Sequence, residues 1–424
     1  MKIVVTGANG YIGRRLVDLA VNQGHQVIAA SRQSLGRDAW LSYDLLDPQA
    51  FLLPVDTDAI IHLAAQTGLA DAADDELEVG AATDLLAQAM ACGSRVLFVS
   101  SQSASVDAPT SYGRIKWRIE QRVVAAGGIA IRPGQVYGGD ERGLFGTLTQ
   151  SVRRLPVLPA FVPAPLIQPI HVDDLVLGLL QLVTAAEILP GVVQLGAEKP
   201  VTFTRFLRQI SKQRIRRFRL FFPVPVVVLK AARRLAGART WQRLGLDRLD
   251  SLFALQPMST SADLQRLQIE MRPLASGMHP SGDARRRWML QEGRLVLRYL
   301  LKRPPGSMLL RRYVRAVVAL RGEQPCRLPW WVARWPATLA LLDDPKRLIK
   351  RMPELATRLD MALMLAEAST EGAERFLAGQ PHGGGLGNLL VMSGAVVTEV
   401  IWRPIRWVYA ILKPVAVSNQ EARP

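Results

Sequence analysis

Short β-branched runs recur through the first half of the chain: Ile3-Val4-Val5, Val27-Ile28-Ala29-Ala30, Ala59-Ile60-Ile61 and Val96-Leu97-Phe98-Val99. The period changes between them. Ile12, Leu16, Leu19 and Ala20 fall on one helical stripe, and Leu77, Leu85 and Leu86 anchor a helix over 76–92. A third, shorter strand precedes Tyr43-Asp44, a further strand is predicted over 191–196, and a helix over 202–211. Strands alternating with helices predict an α/β fold with a doubly wound parallel sheet. Residues 153–169 hold five prolines and predict an irregular segment with an apolar face. From about 276 the pattern is helical, with breaks at Arg303-Pro304-Pro305-Gly306 and His382-Gly383-Gly384-Gly385. Leu386–Leu412 is apolar apart from Glu399, Arg403 and Arg406, and reads as an interfacial helix, or as a soluble helix docked on the first domain, rather than a membrane span.

Charge divides the chain where the pattern does not. Of the 424 residues, 1–130 carry 10 Lys and Arg against 14 Asp and Glu, and the remainder carries 43 against 22. The basic part suits phosphate-rich partners: a nucleotide-linked substrate or an anionic membrane surface. Few aromatics interleave the arginines, which argues against nucleic acid. Two distant cysteines, Cys92 and Cys326, exclude a disulfide framework or a structural metal site and suit a reducing cytoplasm. No signal peptide is expected, because the first strand starts at residue 2.

The chemistry begins where the first strand ends. Thr6-Gly7-Ala8-Asn9-Gly10-Tyr11-Ile12-Gly13 joins that strand to a helix. Gly7 permits the tight turn, Gly10 lets backbone approach a pyrophosphate, and Gly13 lets the helix pack on the sheet. The free N–H groups of the helix start suit phosphate. The second strand ends at Ser31-Arg32 rather than at an acid, which favours NADP over NAD, because Arg32 accommodates a 2′-phosphate. Tyr112 and Lys116 lie four apart on a predicted helix and share a face. A phenol acting as a base near neutrality needs its pKa lowered by roughly 3 units, about 4 kcal/mol. A neighbouring ammonium acts in that direction.

Taken in order, T-G-A-N-G-Y-I-G at 6–13, Asp44-Leu45, H-L-A-A at 62–65, V-S-S at 99–101, S-Y-G-R-I-K at 111–116, R-P-G-Q-V-Y-G at 132–138 and Q-P-I-H-V-D-D-L at 168–175 resemble the extended short-chain dehydrogenase/reductase family, in its NAD(P)-dependent epimerase/dehydratase group. The resemblance implies a Rossmann-type domain over 1–275, with substrate-side segments at about 138–170 and 197–275, and an added mainly α-helical, basic region at 276–424. It implies Tyr112 as general acid/base, Lys116 as its activator and ribose ligand, and Ser101 on the reacting oxygen, with Ser103 as the alternative. Gly7, Asn9, Gly10, Tyr11, Ile12, Gly13, Arg32, Asp44, Leu45, Leu63, Ala64, Ala65 and Pro133 would line the cofactor. Asp44 has the alternative of capping a turn, Asp173 and Asp174 of capping a helix, and His171 of reaching substrate. A homodimer through the Tyr-bearing helix is also implied.

Two departures from the family pattern stand out. The run Glu78-Val79-Gly80-Ala81-Ala82-Thr83 carries Glu where the family usually has Asn, and only eleven residues separate Ser101 from Tyr112. Farther on, Arg205, Arg208, Lys212, Arg214, Arg216, Arg217 and Arg219 precede the apolar run 220–229. This suits a phosphate-bearing or lipid-linked substrate, or a membrane surface. The function expected is hydride transfer at a carbinol or carbonyl carbon, by an epimerase, dehydratase or reductase of a nucleotide sugar or lipid-linked substrate. The alternative is a non-catalytic NADP(H)-holding protein at a membrane, like the accessory subunit of respiratory complex I. The location expected is cytoplasmic, with peripheral attachment to the inner face of the cytoplasmic membrane as the further option.

Overall fold

The computed structural model describes the chain except residues 35, 37–38, 48–50, 67–71, 186–189, 238–246, 281, 321–325, 327, 344–347, 350–351, 379–392, 394–395, 398–399 and 406–424. It forms two compact units, Met1–Ser281 and Gly282–Pro424.

In the first unit the strands are β1 (Lys2–Thr6), β2 (Gln26–Ser31), β3 (Trp40–Ser42), β4 (Ala59–His62), β5 (Arg95–Val99), β6 (Ile129–Pro133), β7 (Gln135–Tyr137), β8 (Val157–Val162), β9 (Leu166–Ile167), β10 (Pro169–His171), β11 (Gly191–Leu195), β12 (Val201–Thr202) and β13 (Leu220–Pro225). The helices used below are α1 (Tyr11–Asn22), α2 (Ala72–Ala91), α3 (Ser111–Ala125), α4 (Gly143–Arg154), α5 (Val172–Thr184), α6 (Phe203–Gln209) and α7 (Val226–Ala236). Seven strands form one parallel sheet in the order β11-β6-β5-β4-β1-β2-β3. The chain therefore leaves β1 in opposite directions along the sheet, through β2 and through β4. The crevice between their carboxyl ends is where such sheets bind ligands.

The apolar runs follow from this topology. Ile3 and Val5 face a core shared with α1 and α5, while Val4 faces a second core shared with α2 and α3. Alternate residues point to opposite faces of a strand. With both faces covered, each of these positions is buried, and each such side chain contributes roughly 1.5–3 kcal/mol.

The proline-rich stretch 153–169 is not irregular. It completes α4 and then holds β8, β9 and the start of β10. β8 pairs with β13 in a two-stranded sheet, with Pro159 opposite Phe222 and Pro223 opposite Ala160. Each strand has a single partner there, so a proline's missing N–H is tolerated on the open side. The helix predicted over 202–211 is α6, continued by a π-helical turn, Ile210–Ile215, that ends at Arg216 with φ of 55°.

The second unit is helical. Gly282–Leu301 and Ser307–Ala319 lie on either side of the Pro304-Pro305-Gly306 break, and Pro353–Glu367 and Thr370–Ala378 follow. Its own core includes Leu297, Tyr313, Val317, Leu359 and Ala362. Buried Glu292 accepts from Tyr313 Oη at 2.7 Å and Cys326 N at 2.6 Å, beside Arg358 Nε at 3.4 Å. Most of Leu386–Leu412 lies outside the described residues, as does the break at 382–385. Among the described residues no helix is long and apolar enough to cross a membrane.

Candidate active site

The glycine turn is built as a cradle. Gly7 sits at φ +67°, and a Cβ there would lie 2.8 Å from Ala64 N. A Cβ on Gly13 would collide with Gly7 O and Ala8 Cα, and one on Gly10 would reach 3.0 Å from Gly7 O. Helix α1 starts at Gly10 without a side-chain cap and without an acid in its first turn. Its first N–H groups therefore stay available to an anion. Asn9 Nδ2 donates to Ser31 Oγ at 2.9 Å and to Gln33 O, which ties the turn to the end of β2, while its buried Oδ1 has no partner. A cradle that a Cβ would fill, at a helix start with no side-chain cap, fits a dinucleotide phosphate.

The remaining cofactor-side residues divide. Arg32 is exposed beyond the end of β2, and Leu63, Ala64 and Ala65 are half-buried beyond β4. Leu63 N and Ala64 N both donate to Thr6 Oγ1, at 3.2 and 3.3 Å. Leu45 is buried beside half-buried Asp44, whose Oδ1 accepts from Leu46 N at 3.1 Å. The turn-capping alternative for Asp44 is therefore present. Ile12 packs on the core beside α1. Tyr11 Oη donates to Gly138 O at 2.6 Å, which binds the turn to the segment after β7. Pro133 is buried at the end of β6, its carbonyl accepting from Gln102 N at 3.3 Å.

Ser101, Tyr112 and Lys116 meet at the carboxyl end of β5. Thr110 caps α3 by accepting from Gly113 N. A Cβ on Gly113 would stand 2.6 Å from both Ser103 O and Ala108 Cβ, so glycine lets the start of α3 press against the serine loop. Ser101 hydrogen-bonds the Tyr112 hydroxyl. Ser103 Oγ lies 2.9 Å from Ser101 Oγ, so the two serine hydroxyls are hydrogen-bonded to each other. Lys116 is buried, donates from Nζ to Val99 O at 3.2 Å, and lies 4.6 Å from the Phe98 ring centre and 5.8 Å from that of Tyr112.

The electrostatics differ from the sequence expectation of a lowered phenol. Burial, aided by the charge of Glu78, pushes Tyr112 up to about 12 against the pull of the Ser101 hydrogen bond. Burial brings Lys116 down to about 8, opposed by Glu78. Desolvation is the largest cause for both groups, disfavouring the phenolate of one and the ammonium of the other. Glu78, the departure from the family pattern, is itself buried and raised by that burial. Its Oε2 accepts from Gln66 N at 2.9 Å, and its Oε1 has no partner.

Several residues have structural duties that the sequence did not disclose. Buried Glu120 accepts from Ser100 Oγ at 2.7 Å and from Arg132 Nε at 2.9 Å, locking α3 to β5 and β6. A small polar residue, an acid and a cation spread over 32 positions leave no local pattern to find. His62 is buried, with Nδ1 2.7 Å from Thr6 Oγ1. Burial takes its pKa down to about 3, so it is neutral. His171, a candidate for reaching substrate, caps α5 by accepting from Asp173 N at 3.2 Å. Asp173 and Asp174, expected as caps, pair with Arg272 at 3.2 and 2.7 Å. Arg214 is not a surface cation. It is buried, donates to Gly139 O at 2.6 Å and to Glu141 Oε1 at 3.1 Å, and lies over Phe145. Arg219 is likewise engaged, by the carbonyls of Val152 and Arg153.

Residues 3–196 match the model of the NAD dependent epimerase/dehydratase family. A ceramide reductase of Caulobacter vibrioides is 28% identical over 230 residues, covering 47% of this chain and 71% of that protein. A Mycobacterium tuberculosis protein is 28% identical over 222 residues, which span 50% of this chain but only 23% of the relative's length. Among solved structures, Pal from Bacillus thuringiensis superposes with a TM-score of 0.51 at 16% identity, over 66% of this chain and 96% of that one. That last similarity speaks to the fold.

Proposed function

We propose that this protein, whose residues 3–196 match the NAD dependent epimerase/dehydratase family, is an NADP(H)-dependent oxidoreductase of the extended short-chain dehydrogenase/reductase type, acting on the carbonyl or carbinol carbon of a lipid-linked substrate. The observation that carries the reading is the Ser101–Tyr112–Lys116 set on the same carboxyl edge of the sheet as the glycine cradle. Lipid linkage draws support from the ceramide reductase relative and from the exposed apolar run that follows the arginine-rich segment. Preference for NADP draws support from exposed Arg32 and from the absence of an acid in Ser31-Arg32-Gln33.

NAD(P)H, when bound, supplies or receives the hydride. Gly7, Gly10, Gly13 and the start of α1 would hold its phosphates, and Arg32 a 2′-phosphate. Tyr112 keeps its proton at neutral pH because burial disfavours the phenolate. It is poised to give that proton to a carbonyl oxygen as the carbon becomes a carbinol. Ser101 Oγ lies beside Tyr112 Oη and shares the hydrogen bonding of that oxygen. Lys116, where protonated, stabilises the phenolate left behind, and Glu78 keeps more of it protonated. In the opposite direction the same phenolate accepts a carbinol proton, and the raised phenol makes that direction the one favoured by alkali.

The test is NADPH consumption by the purified full chain with long-chain ketones and ketoacyl compounds, beside sugar nucleotides. Tyr112→Phe should lower kcat by about 10²–10⁴-fold while NADPH affinity is kept. Undiminished turnover in that variant would remove Tyr112 from the chemistry, and turnover of sugar nucleotides alone would displace the lipid reading. Arg32→Ser should weaken NADPH about tenfold, the worth of one charged hydrogen bond, and leave NADH unchanged.

A further inference from the structure

Strand β13, the residue run leading into it and helix α7 expose an unusual surface. Phe218, Leu220, Phe222, Val227, Val228 and Leu235 are between 57 and 89% exposed. Leu220 and Phe222 alternate in β13 and so share one side of the strand, with exposed Phe218 just ahead of them. Val227, Val228 and Leu235 share one face of α7 at helical spacing. The surface is held in shape from behind: Phe221, Val224, Val226 and Leu229 pack into a core with Phe161, Phe203 and Phe206. Large apolar side chains gathered on one firmly backed face mark an interaction site.

The charge around the face chooses its occupant. No Asp or Glu occurs between Glu198 and Asp247. Arg208, Lys212, Arg217, Lys230 and Arg234 are exposed around the apolar strip. A second copy docked face to face would bring these cations together, which repels. We infer that the β13–α7 face docks the protein on an anionic lipid bilayer, its apolar side chains entering the interface and its cations meeting the lipid phosphates. Amphipathic surfaces of this composition lie in the headgroup region without spanning the membrane.

The face is connected to the active site. Arg233 on α7 pairs with Asp250 at 3.1 Å, and the neighbouring Ser251 Oγ lies 3.0 Å from Thr110 Oγ1, the cap of the helix that carries Tyr112. Docking would set that helix at the bilayer surface. The inference rests on the surface alone and not on the proposed reaction.

The experiment is sedimentation of the full chain with vesicles of phosphatidylcholine, with and without about one third phosphatidylglycerol. Wild type should bind the anionic vesicles, bind the neutral ones weakly, and be released by salt. The combined variant Phe218→Ser, Leu220→Ser, Phe222→Ser should lose about tenfold or more in vesicle affinity. So should Arg217→Gln, Lys230→Gln, Arg234→Gln, which leaves the apolar residues in place and covers the case in which the serine variant fails to fold. Circular dichroism melts should match wild type for any variant that is scored. Wild-type affinity in a folded charge variant, equal binding to neutral vesicles, or no vesicle binding together with a dimer that the serine variant dissolves would each overturn the inference. NADPH turnover in solution, measured in parallel, reports on the proposed reaction separately.

Discussion

Burial dominates the proton affinities of Tyr112 and Lys116, and a buried carboxylate, Glu78, adds to its effect on the first and opposes it on the second. Glu78 raises both Tyr112 and Lys116. Replacing it by Gln removes that charge, so both pKa values should fall. In the proposed reaction, carbonyl reduction uses the Tyr112 proton, so activity should be lost as pH rises through the phenol's pKa. In Glu78→Gln that alkaline limb should move to lower pH in a kcat–pH profile, and an unmoved limb would detach Glu78 from the phenol. His62 makes a second prediction, on stability. Its folded pKa, about 3, lies below the ordinary value of 6.5, so the unfolded chain binds a proton that the fold excludes. Stability is then lost as pH falls below 6.5, by about 2 kcal/mol between pH 7.5 and pH 5 from this group. Urea unfolding at the two pH values measures it, and His62→Gln should flatten the difference. Tyr112 and Lys116 stand four apart on one helix and the three glycines lie in one turn, so local spacing made them candidates in the sequence, whereas Ser101 was named only through the family resemblance. The buried role of Arg214 was not legible, because its neighbours Gly139 and Glu141 reach it only through the fold.

Helix α3 shows how an element holds a side chain in register. Its start is pressed on the serine loop by Gly113, and its middle is tied by Glu120 to Ser100 and Arg132. Removing one partner of a buried ion pair strands the other charge. Glu120→Ala should therefore cost about 3–5 kcal/mol in denaturant unfolding. Glu120→Gln, which keeps the shape and part of the bonding, should cost less. Equal stability in the Ala variant would mean that α3 is held by its apolar face alone. The parallel strands were legible because both faces of each are covered, which writes a continuous apolar run. The β8–β13 pair was not. Its prolines discourage regular structure locally, and only a partner more than fifty residues away supplies the ladder.

Each unit of the whole molecule carries its own core, with Ile3, Val5 and Leu179 in one and Leu297, Tyr313 and Leu359 in the other. Residues 1–281 expressed alone should unfold cooperatively and bind NADPH as the full chain does. Loss of either, followed by calorimetry and cofactor titration, would show that the helical unit is needed for the first to fold. The family resemblance stops near residue 276, and among the described residues of the second unit the buried polar centre is Glu292, which accepts from Tyr313 Oη and Cys326 N, contacts that only the fold brings together. One further bond spans the first unit. Tyr11 Oη, in the glycine turn, holds the carbonyl of Gly138, 127 residues later. Through it, ordering of the turn and ordering of the segment after β7 share one free energy. Linkage is reciprocal: whatever factor a ligand on one side gains from the other, it returns. Tyr11→Phe removes that bond, so in this variant the affinity for NADPH, titrated with and without a substrate analogue, should depend less on the analogue than in wild type.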